Sequence, residues 1–336
     1  MPETADVAAF ARRPIRLPDN PIRRFYRGSG RLAGGADAYL SEEWIGSTTT
    51  AAGDTAGPSR LADGTLLADA VAAHPVEFLG AAHVERFGPG TELLVKFLDP
   101  GERLPVHCHP TRAFAREHLG CRHGKSEAWI IAAAPDEGGE VFLGFRDDVP
   151  MTLLREWVAG QHTERLLGAL NRIPVRPGDA LFVPAGVPHA IGAGLLVVEL
   201  QEPTDLSIML EWDGYRTGED TGIGLDRETG LRAVDRTAWP PGRLAGLSAP
   251  GGSGARRLLP EAADEFFRAE LVPPGAPVTL DAGFSILIVT SGQGTLTAGG
   301  ETHELAAGDK VLVPHACGDV TVTGTASLIR CRPPRP

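Results

Sequence analysis

The chain has 336 residues, of which 42% are hydrophobic and 22% are charged, and its formal net charge at pH 7 is −11. This composition is typical of a folded globular protein and argues against intrinsic disorder. The negative charge argues against a nucleic acid or an anionic membrane surface as a partner, so a small molecule is expected. No apolar run has the length of a membrane span or a signal peptide, which predicts a cytoplasmic protein.

Short strands dominate the expected architecture. The chain contains 42 glycines and 28 prolines but only 6% aromatic residues, as in proteins built from many strands joined by tight turns. From Thr91 onward, apolar runs such as ELLVKFLD, EAWIIAA and EVFLGF predict strands of an antiparallel sheet. Apolar residues at helical spacing over 67–80 and 151–171 predict helices, the second of which interrupts the sheet. The expected fold is therefore mainly β.

A sequence pattern from the first half of the chain returns in the second half. GDALFVPAGVPH, which begins at Gly178, reappears as GDKVLVPHACGD, which begins at Gly308. This internal repeat predicts two duplicated barrels, joined by a linker rich in glycine, proline, threonine and charge. The predicted division is an N-terminal domain over 1–213 with a helical insert at 151–172, a linker over 214–257, and a C-terminal barrel over 258–336.

Two histidines in the segment GERLPVHCHP are separated by one residue. In an extended strand, His107 and His109 project from the same face, about 7 Å apart, so both can bind one divalent metal ion. An HxH pair by itself is a weak indication of a metal site, because ordinary surface or core histidines can have the same spacing. The motifs that follow it decide between these interpretations.

A carboxylate and a third histidine complete a candidate ligand set. Glu127 begins the apolar run EAWIIAA, and a carboxylate that faces a barrel interior is costly unless a cation pairs with it. His189 ends the rigid turn PAGVPH. The alternatives are an exposed glutamate at a strand end and a hydrogen-bonded histidine in a turn.

The joint spacing of these residues reproduces the cupin signature. Five residues separate Gly101 from His107, and five separate Gly178 from Pro184, ahead of His189. Seventeen residues, 110–126, lie between His109 and Glu127, where many cupins have only a few. This longer gap predicts an inserted loop or helix beside the metal.

Five segments together resemble a short bacterial type I phosphomannose isomerase: SEEWIGS, LLVKFLDPGERLPVHCHP, HGKSEAWII, VRPGDALFVPAGVPHAIGAG and VVELQEPTD. The resemblance spans residues 22 to about 330. It implies a pair of cupin (jelly-roll) barrels with a helical insert in the first. It also implies a metal-dependent aldose–ketose isomerase that converts mannose 6-phosphate, or a related sugar, to the corresponding ketose.

The same resemblance implies a single zinc ion bound by His107, His109, Glu127 and His189. The family has a glutamine where this chain has His107, which is a departure from its pattern. Three histidines and one glutamate suit zinc, but such a set equally suits iron, manganese, nickel or cobalt.

The resemblance also assigns residues around the metal. Lys125 matches the lysine of the family's KxE motif and shares a strand face with Glu127. Glu199 and Asp205 match acidic positions that could serve proton transfer, although either could instead fix backbone or arginine side chains. Three further residues correspond to positions beside the substrate pocket: Lys96, Glu42 and Trp44.

Two departures concern the substrate. Met209 stands where the family has an arginine to which a catalytic role is assigned, and Arg216 is a nearby candidate to replace it. Pro105 stands where the family has a serine linked to the sugar phosphate. Arg23, Arg24 and Arg27 could bind a phosphate, but such a cluster is also typical of a solvated face. The sugar, a free sugar or a sugar phosphate, is thus left open.

Two other functions are compatible with the sequence. Three histidines and one carboxylate can hold Fe(II) in a cupin oxygenase, and the loss of the arginine at Met209 would suit a non-catalytic sugar-binding cupin. The second repeat has no HxH pair, and Asp319 stands where a last metal histidine would, so the C-terminal barrel is expected to be structural. His303 and His315 are not expected to be ligands. Length and charge do not indicate an oligomeric state.

Overall fold

The computed structural model describes residues 11–32, 37–215, 223–249 and 255–336. The strands are β1 (Ile15–Arg16), β2 (Pro21–Arg23), β3 (Leu40–Ile45), β4 (Leu94–Leu98), β5 (His107–Cys108), β6 (Glu127–Ala133), β7 (Gly139–Phe145), β8 (Leu170–Val175), β9 (Ala180–Val183), β10 (His189–Ile191), β11 (Leu196–Gln201), β12 (Ile208–Met209), β13 (Arg256–Arg257), β14 (Arg268–Val272), β15 (Gly275–Leu280), β16 (Ser285–Ser291), β17 (Gln293–Ala298), β18 (Glu301–Ala306), β19 (Lys310–Val313), β20 (Val320–Gly324) and β21 (Ser327–Arg332). The helices are α1 (Leu67–Ala73), α2 (Pro75–Leu79), α3 (Ala81–Phe87), α4 (Arg112–Leu119), α5 (Met151–Ala159), α6 (Thr163–Ala169), α7 (Arg227–Leu231) and α8 (Pro241–Ala245).

The strands form two units, each made of two antiparallel sheets. In the first unit, the six-stranded sheet has the order β2-β3-β4-β11-β6-β9, and the five-stranded sheet has the order β12-β5-β10-β7-β8. In the second unit the sheets have the orders β1-β19-β16-β21-β14-β13 and β15-β20-β17-β18. The mainly β prediction is confirmed. Among the described residues each predicted barrel is a pair of sheets, not a closed ring of hydrogen-bonded strands.

The two six-stranded sheets are built on the same plan. Strands β3, β4, β11, β6 and β9 of the first correspond in order to β13, β14, β21, β16 and β19 of the second. Gly178 and Gly308, which precede β9 and β19, have nearly equal φ angles of 93° and 92°, a left-handed conformation that favours glycine. The sixth strand of each sheet comes from the N-terminal segment, because β2 adds to β3 and β1 adds to β19. This segment therefore connects the two units.

The helices lie in the connections between strands. Helices α5 and α6 fill the β7–β8 connection, as predicted, and pack Leu154, Val158 and Leu166 against the five-stranded sheet. The predicted inserted element after His109 is α4, whose first turn is capped by the Thr111 side chain. The helical prediction over 67–80 is confirmed, and the structure divides this stretch into two helices, α1 and α2, the second of which ends at Gly80.

One hydrophobic cluster joins the two units. It includes Ile130 and Val198 from the first six-stranded sheet and Ile288 and Ile329 from the second. The ring of Phe182, on β9, lies 5.8 Å from that of Phe266. Strands such as β6 and β11 are buried on both faces, and this explains why they read as continuous apolar runs.

The predicted domain boundaries stay a proposal. Strand β1 lies inside the range 1–213 but pairs with β19 of the second unit. Strand β13 lies inside the predicted linker 214–257 and pairs with β14. No helix in the described parts of the chain combines the length and apolarity required to span a membrane.

Candidate metal centre and active site

The candidate ligands meet between the two sheets of the first unit. In the five-stranded sheet, His107 on β5 is the direct register partner of His189 on β10. His109 follows β5 by one residue, and Glu127 begins β6 in the six-stranded sheet. Each sheet therefore supplies part of the set, and all four residues converge as the spacing of the motif predicts.

The four side chains form one buried cluster. The Nε2 atoms of His107 and His189 are 3.0 Å apart. Glu127 places Oε2 3.0 Å from His109 Nε2 and Oε1 3.2 Å from His189 Nε2. His109, Glu127 and His189 are each 1% exposed. One ligand nitrogen from each of the three histidines lies within 4.8 Å of the others.

Backbone carbonyls fix the orientation of all three imidazole rings. The Nδ1 atoms of His107, His109 and His189 each lie 2.8 Å from a carbonyl oxygen, those of Pro105, Leu206 and Val187 respectively. A neutral imidazole that donates from Nδ1 has a bare lone pair on Nε2. The three lone pairs thus point toward one another and toward Glu127, an arrangement in which each imidazole is held ready to coordinate an ion.

The charge state of the cluster agrees with this geometry. Burial, followed by nearby positive charge, lowers the pKa of His109 to about 3, and burial likewise lowers the pKa of His189 to about 3. Burial and the neighbouring His189 hold the pKa of His107 well below its usual value. Burial alone would raise the pKa of Glu127, but Lys125 and His109 hold it well below the usual range. Three neutral imidazoles therefore face one carboxylate.

A divalent cation fits this set of atoms. With Nδ1 protonated, Nε2 of each histidine can only accept a hydrogen bond, as can the carboxylate oxygens of Glu127. These acceptor atoms nevertheless make three close contacts, one between two Nε2 atoms and two between an Nε2 atom and a carboxylate oxygen. Oε2 of Glu127 is buried and makes no hydrogen bond of good geometry, although Lys125 Nζ lies 3.2 Å away. Such contacts are unfavourable without a cation and become favourable when one lies among them.

Lys125 lies at the edge of the cluster, as its spacing from Glu127 predicts. Its Nζ is 3.0 Å from His109 Nε2 and 3.2 Å from Glu127 Oε2. The residue is only 5% exposed. The Lys125 side chain thus brings a positive charge close to the position where the ligand atoms converge.

One row of side chains crosses the six-stranded sheet on the face that carries Glu127. Trp44, Lys96, Glu199 and Trp129 are register partners across β3, β4, β11 and β6. Glu127 lies two residues before Trp129 and therefore projects from the same face. All members of this row are buried. The row brings the predicted substrate-side residues and the predicted metal ligands to one surface.

Glu42 is held by two hydrogen bonds and two ion pairs. It accepts hydrogen bonds from the Tyr26 hydroxyl at 3.0 Å and from Trp44 Nε1 at 2.7 Å. Arg24 Nε and Lys96 Nζ lie 3.1 and 3.4 Å from its two oxygens. Burial raises its pKa, but Arg24 and Lys96 outweigh this effect and lower it. Glu42 is thus a fixed anion.

Asp205 is also fixed, and by the same arginine. Arg24 donates from Nη1 and Nη2 to the two oxygens of Asp205 at 2.8 and 3.0 Å, and the Ala52 amide donates at 3.0 Å. Against the effect of burial, Arg24 and then Lys96 hold the pKa of Asp205 well below its usual range. Of the two alternatives left by the sequence, the structure therefore favours Asp205 as an anchor for an arginine.

Glu199 differs from both of these carboxylates. Lys96 Nζ is 3.6 Å away, too far for a hydrogen bond. Burial, reinforced by the negative charge of Glu127, raises the pKa of Glu199 to about 7, and Lys96 opposes the shift. Glu199 is thus the group in this row that can both take up and release a proton near neutral pH.

The positions that depart from the family pattern lie beside the cluster. Met209 is the register partner of His107 on the side opposite His189, and it is buried. The Pro105 carbonyl accepts the His107 Nδ1 hydrogen bond, so this proline contributes through its backbone. Arg216, the candidate replacement for the missing arginine, lies outside the described residues.

Of the three N-terminal arginines, Arg24 is the one whose inward position the sequence analysis did not identify. Arg23 pairs with Asp37 and lies over the Tyr39 ring, on the outside of the protein. Arg24 points inward, between Ile22 and Tyr26, both of which are buried. The alternation of Ile22, Arg24 and Tyr26 at period two was the available signal for an inward arginine.

The second unit has different residues at the corresponding positions. In the register of β16 and β19, Ser285 opposite Val313 corresponds to Glu127 opposite Val183. One residue beyond the Leu280–Val320 pair of β15 and β20, Asp281 lies opposite Asp319, as His107 lies opposite His189. Gly283, two residues after Asp281, then corresponds to His109. Arg332 binds Asp281 through two nitrogens at 2.9 and 2.8 Å. A Cβ atom on Gly283 would lie 2.8 Å from the same guanidinium.

The fold and the set of candidate ligands define a cupin with a candidate metal site between its two sheets. A family model described as "Mannose-6-phosphate isomerase, cupin domain" matches residues 265–333, in the second unit. A mannose-6-phosphate isomerase of Streptococcus mutans is 29% identical over 264 residues, which cover 76% of this chain and 79% of that protein. The ManA mannose-6-phosphate isomerase of Bacillus subtilis is 25% identical over 268 residues, 76% of this chain and 78% of that protein. Over about three quarters of its length the chain is thus similar to curated mannose-6-phosphate isomerases, and its second unit matches the cupin domain of that family.

Solved structures agree with the fold. The crystal structure of the mannose 6-phosphate isomerase from Bacillus subtilis matches with a TM-score of 0.70 at 22% identity, covering 95% of this chain and 99% of that chain. The apo form of the enzyme from Salmonella typhimurium matches with a TM-score of 0.73 at 17% identity, covering 96% and 99%. The predicted pair of cupin domains is confirmed.

Proposed function

We propose that this chain interconverts mannose 6-phosphate and fructose 6-phosphate with the help of one divalent metal ion. The observation that carries the proposal is the convergence of three fixed Nε2 lone pairs and the buried Glu127 carboxylate in the interior of the first unit. The curated relatives of this chain are named for the same reaction. A cupin oxygenase would use a similar ligand set, but the comparisons with named proteins support the isomerase.

The ligands in this proposal are His107, His109, Glu127 and His189, and the metal is zinc. Imidazole nitrogens and a carboxylate are ligands that zinc accepts, while iron, manganese, nickel and cobalt accept them too. When bound, the ion would act as a Lewis acid that polarises the sugar carbonyl and its neighbouring hydroxyl. The remaining steps belong to the side chains around it.

Glu199 carries the proton between C1 and C2 in this mechanism. Asp205 is occupied by Arg24, and Lys125 lies between His109 and Glu127. Lys96 Nζ instead lies 3.6 Å from Glu199, beyond hydrogen-bond distance, and a pKa of about 7 suits both removal and return of a proton. It can therefore act as a base in one direction and as an acid in the other.

The cationic side chains bind and orient the substrate. Lys96 lies in the same row as Glu199, and its ammonium lies 4.7 Å from the centroid of the Trp44 ring. Lys125 is on the other side of Glu127. Fixed positive groups in a buried site stabilise an enediolate, in which negative charge develops at the sugar oxygens.

A single experiment tests the reaction, the phosphate and the metal together. Protein freed of metal is reloaded separately with zinc and with Fe(II), then incubated with mannose 6-phosphate or with mannose, and C2 proton exchange is followed by NMR. We expect exchange and ketose formation with mannose 6-phosphate and zinc. The variant His109→Ala should lose both metal and activity, whereas His118→Ala, a histidine on α4, serves as the matched control.

The other outcomes are informative. Turnover of mannose alone would show that this chain acts on a free sugar. Exchange with Fe(II) but not with zinc would correct the metal. Absence of exchange with every metal and both sugars would refute the isomerase proposal.

A further inference from the structure

Arg24 reaches the candidate active site from the N-terminal segment. It follows β2, the edge strand that this segment adds to the first six-stranded sheet. Its amide donates to the Tyr39 carbonyl at 2.8 Å, which fixes the backbone at this point. The side chain is 15% exposed, and its guanidinium lies between Asp205 and Glu42. Arg24 thus connects two acidic residues that are 163 positions apart in the chain.

The contacts of Arg24 are those of a permanent cation in an interior site. Two nitrogens bond to the two oxygens of Asp205, and Nε lies 3.1 Å from Glu42. The Arg24 guanidinium also lies 5.9 Å from the Trp44 ring centroid. A bidentate pair of this kind has a fixed geometry as well as a favourable charge interaction. Asp205 cannot move without breaking this pair.

The charges in this part of the site couple the position of the Lys96 ammonium to the presence of Arg24. Three carboxylates, Glu42, Asp205 and Glu199, surround two cations, Arg24 and Lys96. The Lys96 ammonium lies between Glu42, at 3.4 Å, and Glu199, at 3.6 Å. If Arg24 were absent, Glu42 would lose one of its two cations and attract the ammonium more strongly. The ammonium would then move away from Glu199.

We propose that Arg24 is a positioning residue of the active site, which acts through Glu42 and Asp205 to keep Lys96 beside Glu199. This inference rests on the proposed isomerase function. It makes the N-terminal segment, and not only the two cupin units, part of the catalytic apparatus. The substrate is held by Lys96, while Arg24 itself bonds to the two carboxylates.

The test compares Arg24→Gln, Arg24→Lys and the neighbouring control Arg23→Gln. Each variant is loaded with the metal that activates the wild-type protein, and kcat and KM for mannose 6-phosphate, bound metal and the melting temperature are measured. We expect Arg24→Gln to lower kcat by about tenfold or more, since a displaced Lys96 no longer meets the transition state well. Bound metal should be unchanged and KM should change much less than kcat. Arg24→Lys should recover part of kcat, and Arg23→Gln should behave as wild type.

A second background separates positioning from simple stabilisation. In Glu42→Gln protein, the anion that attracts Lys96 is already gone, so adding Arg24→Gln should lower kcat less than it does in the wild-type background. An undiminished effect there, or a wild-type kcat in Arg24→Gln, would overturn the inference. If Arg24→Gln does not fold, Arg24→Lys decides, since an unchanged kcat in that variant would also overturn it.

The experiment separates this inference from the proposed function. An inactive wild-type protein would refute the isomerase function itself. An active wild type with an equally active Arg24→Gln variant would refute only the role of Arg24.

Discussion

Removal of metal should destabilise the folded protein in a measurable way. The unfolded chain has no preformed site, because His107 and His189 are 82 positions apart and Glu127 comes from the facing sheet. Binding free energy therefore appears as folding free energy. At a free zinc concentration about a thousandfold above Kd, the stabilisation is about 4 kcal/mol. For a unit of roughly 200 residues this corresponds to a melting temperature higher by roughly 8 to 16 °C.

The assay is differential scanning calorimetry of one preparation, before and after treatment with a chelator, with metal content measured in parallel. Zinc returned to the treated protein should restore the higher melting temperature. His109→Ala should show no zinc-dependent shift, whereas His118→Ala should shift like wild type. The assignment of these four ligands would be refuted if the reloaded protein contained no zinc and its melting temperature stayed unchanged.

Two further predictions concern single side chains. Glu199→Gln should lower kcat by roughly 10²-fold or more without loss of bound metal, because the residue would no longer exchange a proton; a kcat near that of wild type would point to another base. Lys310→Met should destabilise the protein by about 3 kcal/mol, since Lys310 pairs with Glu43 across the two units and both are buried. The control is Arg155→Met, which breaks the exposed Arg155–Glu228 pair and should lower the free energy of unfolding by less than about 1 kcal/mol. Both values are measured by denaturant titration, and equal losses in the two variants would contradict this reasoning.

The sequence predicted those features of the site that depend on local spacing. His107 and His109 are two apart on one strand, and Lys125 and Glu127 are two apart at the start of another, so period-two alternation was enough to place each pair. The repeated turn at Gly178 and Gly308 likewise identified the two similar units. In each case the relevant geometry is contained within a few residues.

Features that depend on distant pairing were not predictable in this way. Nothing near β1 in the sequence indicates that Ile15 pairs with Leu312. The inward position of Arg24 depends on its Asp205 partner, and the cluster of three arginines had an equally good interpretation as a solvated face. The choice among Glu199, Asp205 and Lys125 as the base also required their surroundings, because identical carboxylates acquire different pKa values from different neighbours.

Because of the Arg332–Asp281 pair, the two units differ in the source of the cation at corresponding positions. In the second unit a guanidinium lies against the residues that correspond to His107 and His109, and it is part of the chain itself. That unit therefore has a cation at this position without binding an ion. In the proposed metal centre the first unit takes up its cation from solution, so only that unit is expected to respond directly to removal of metal.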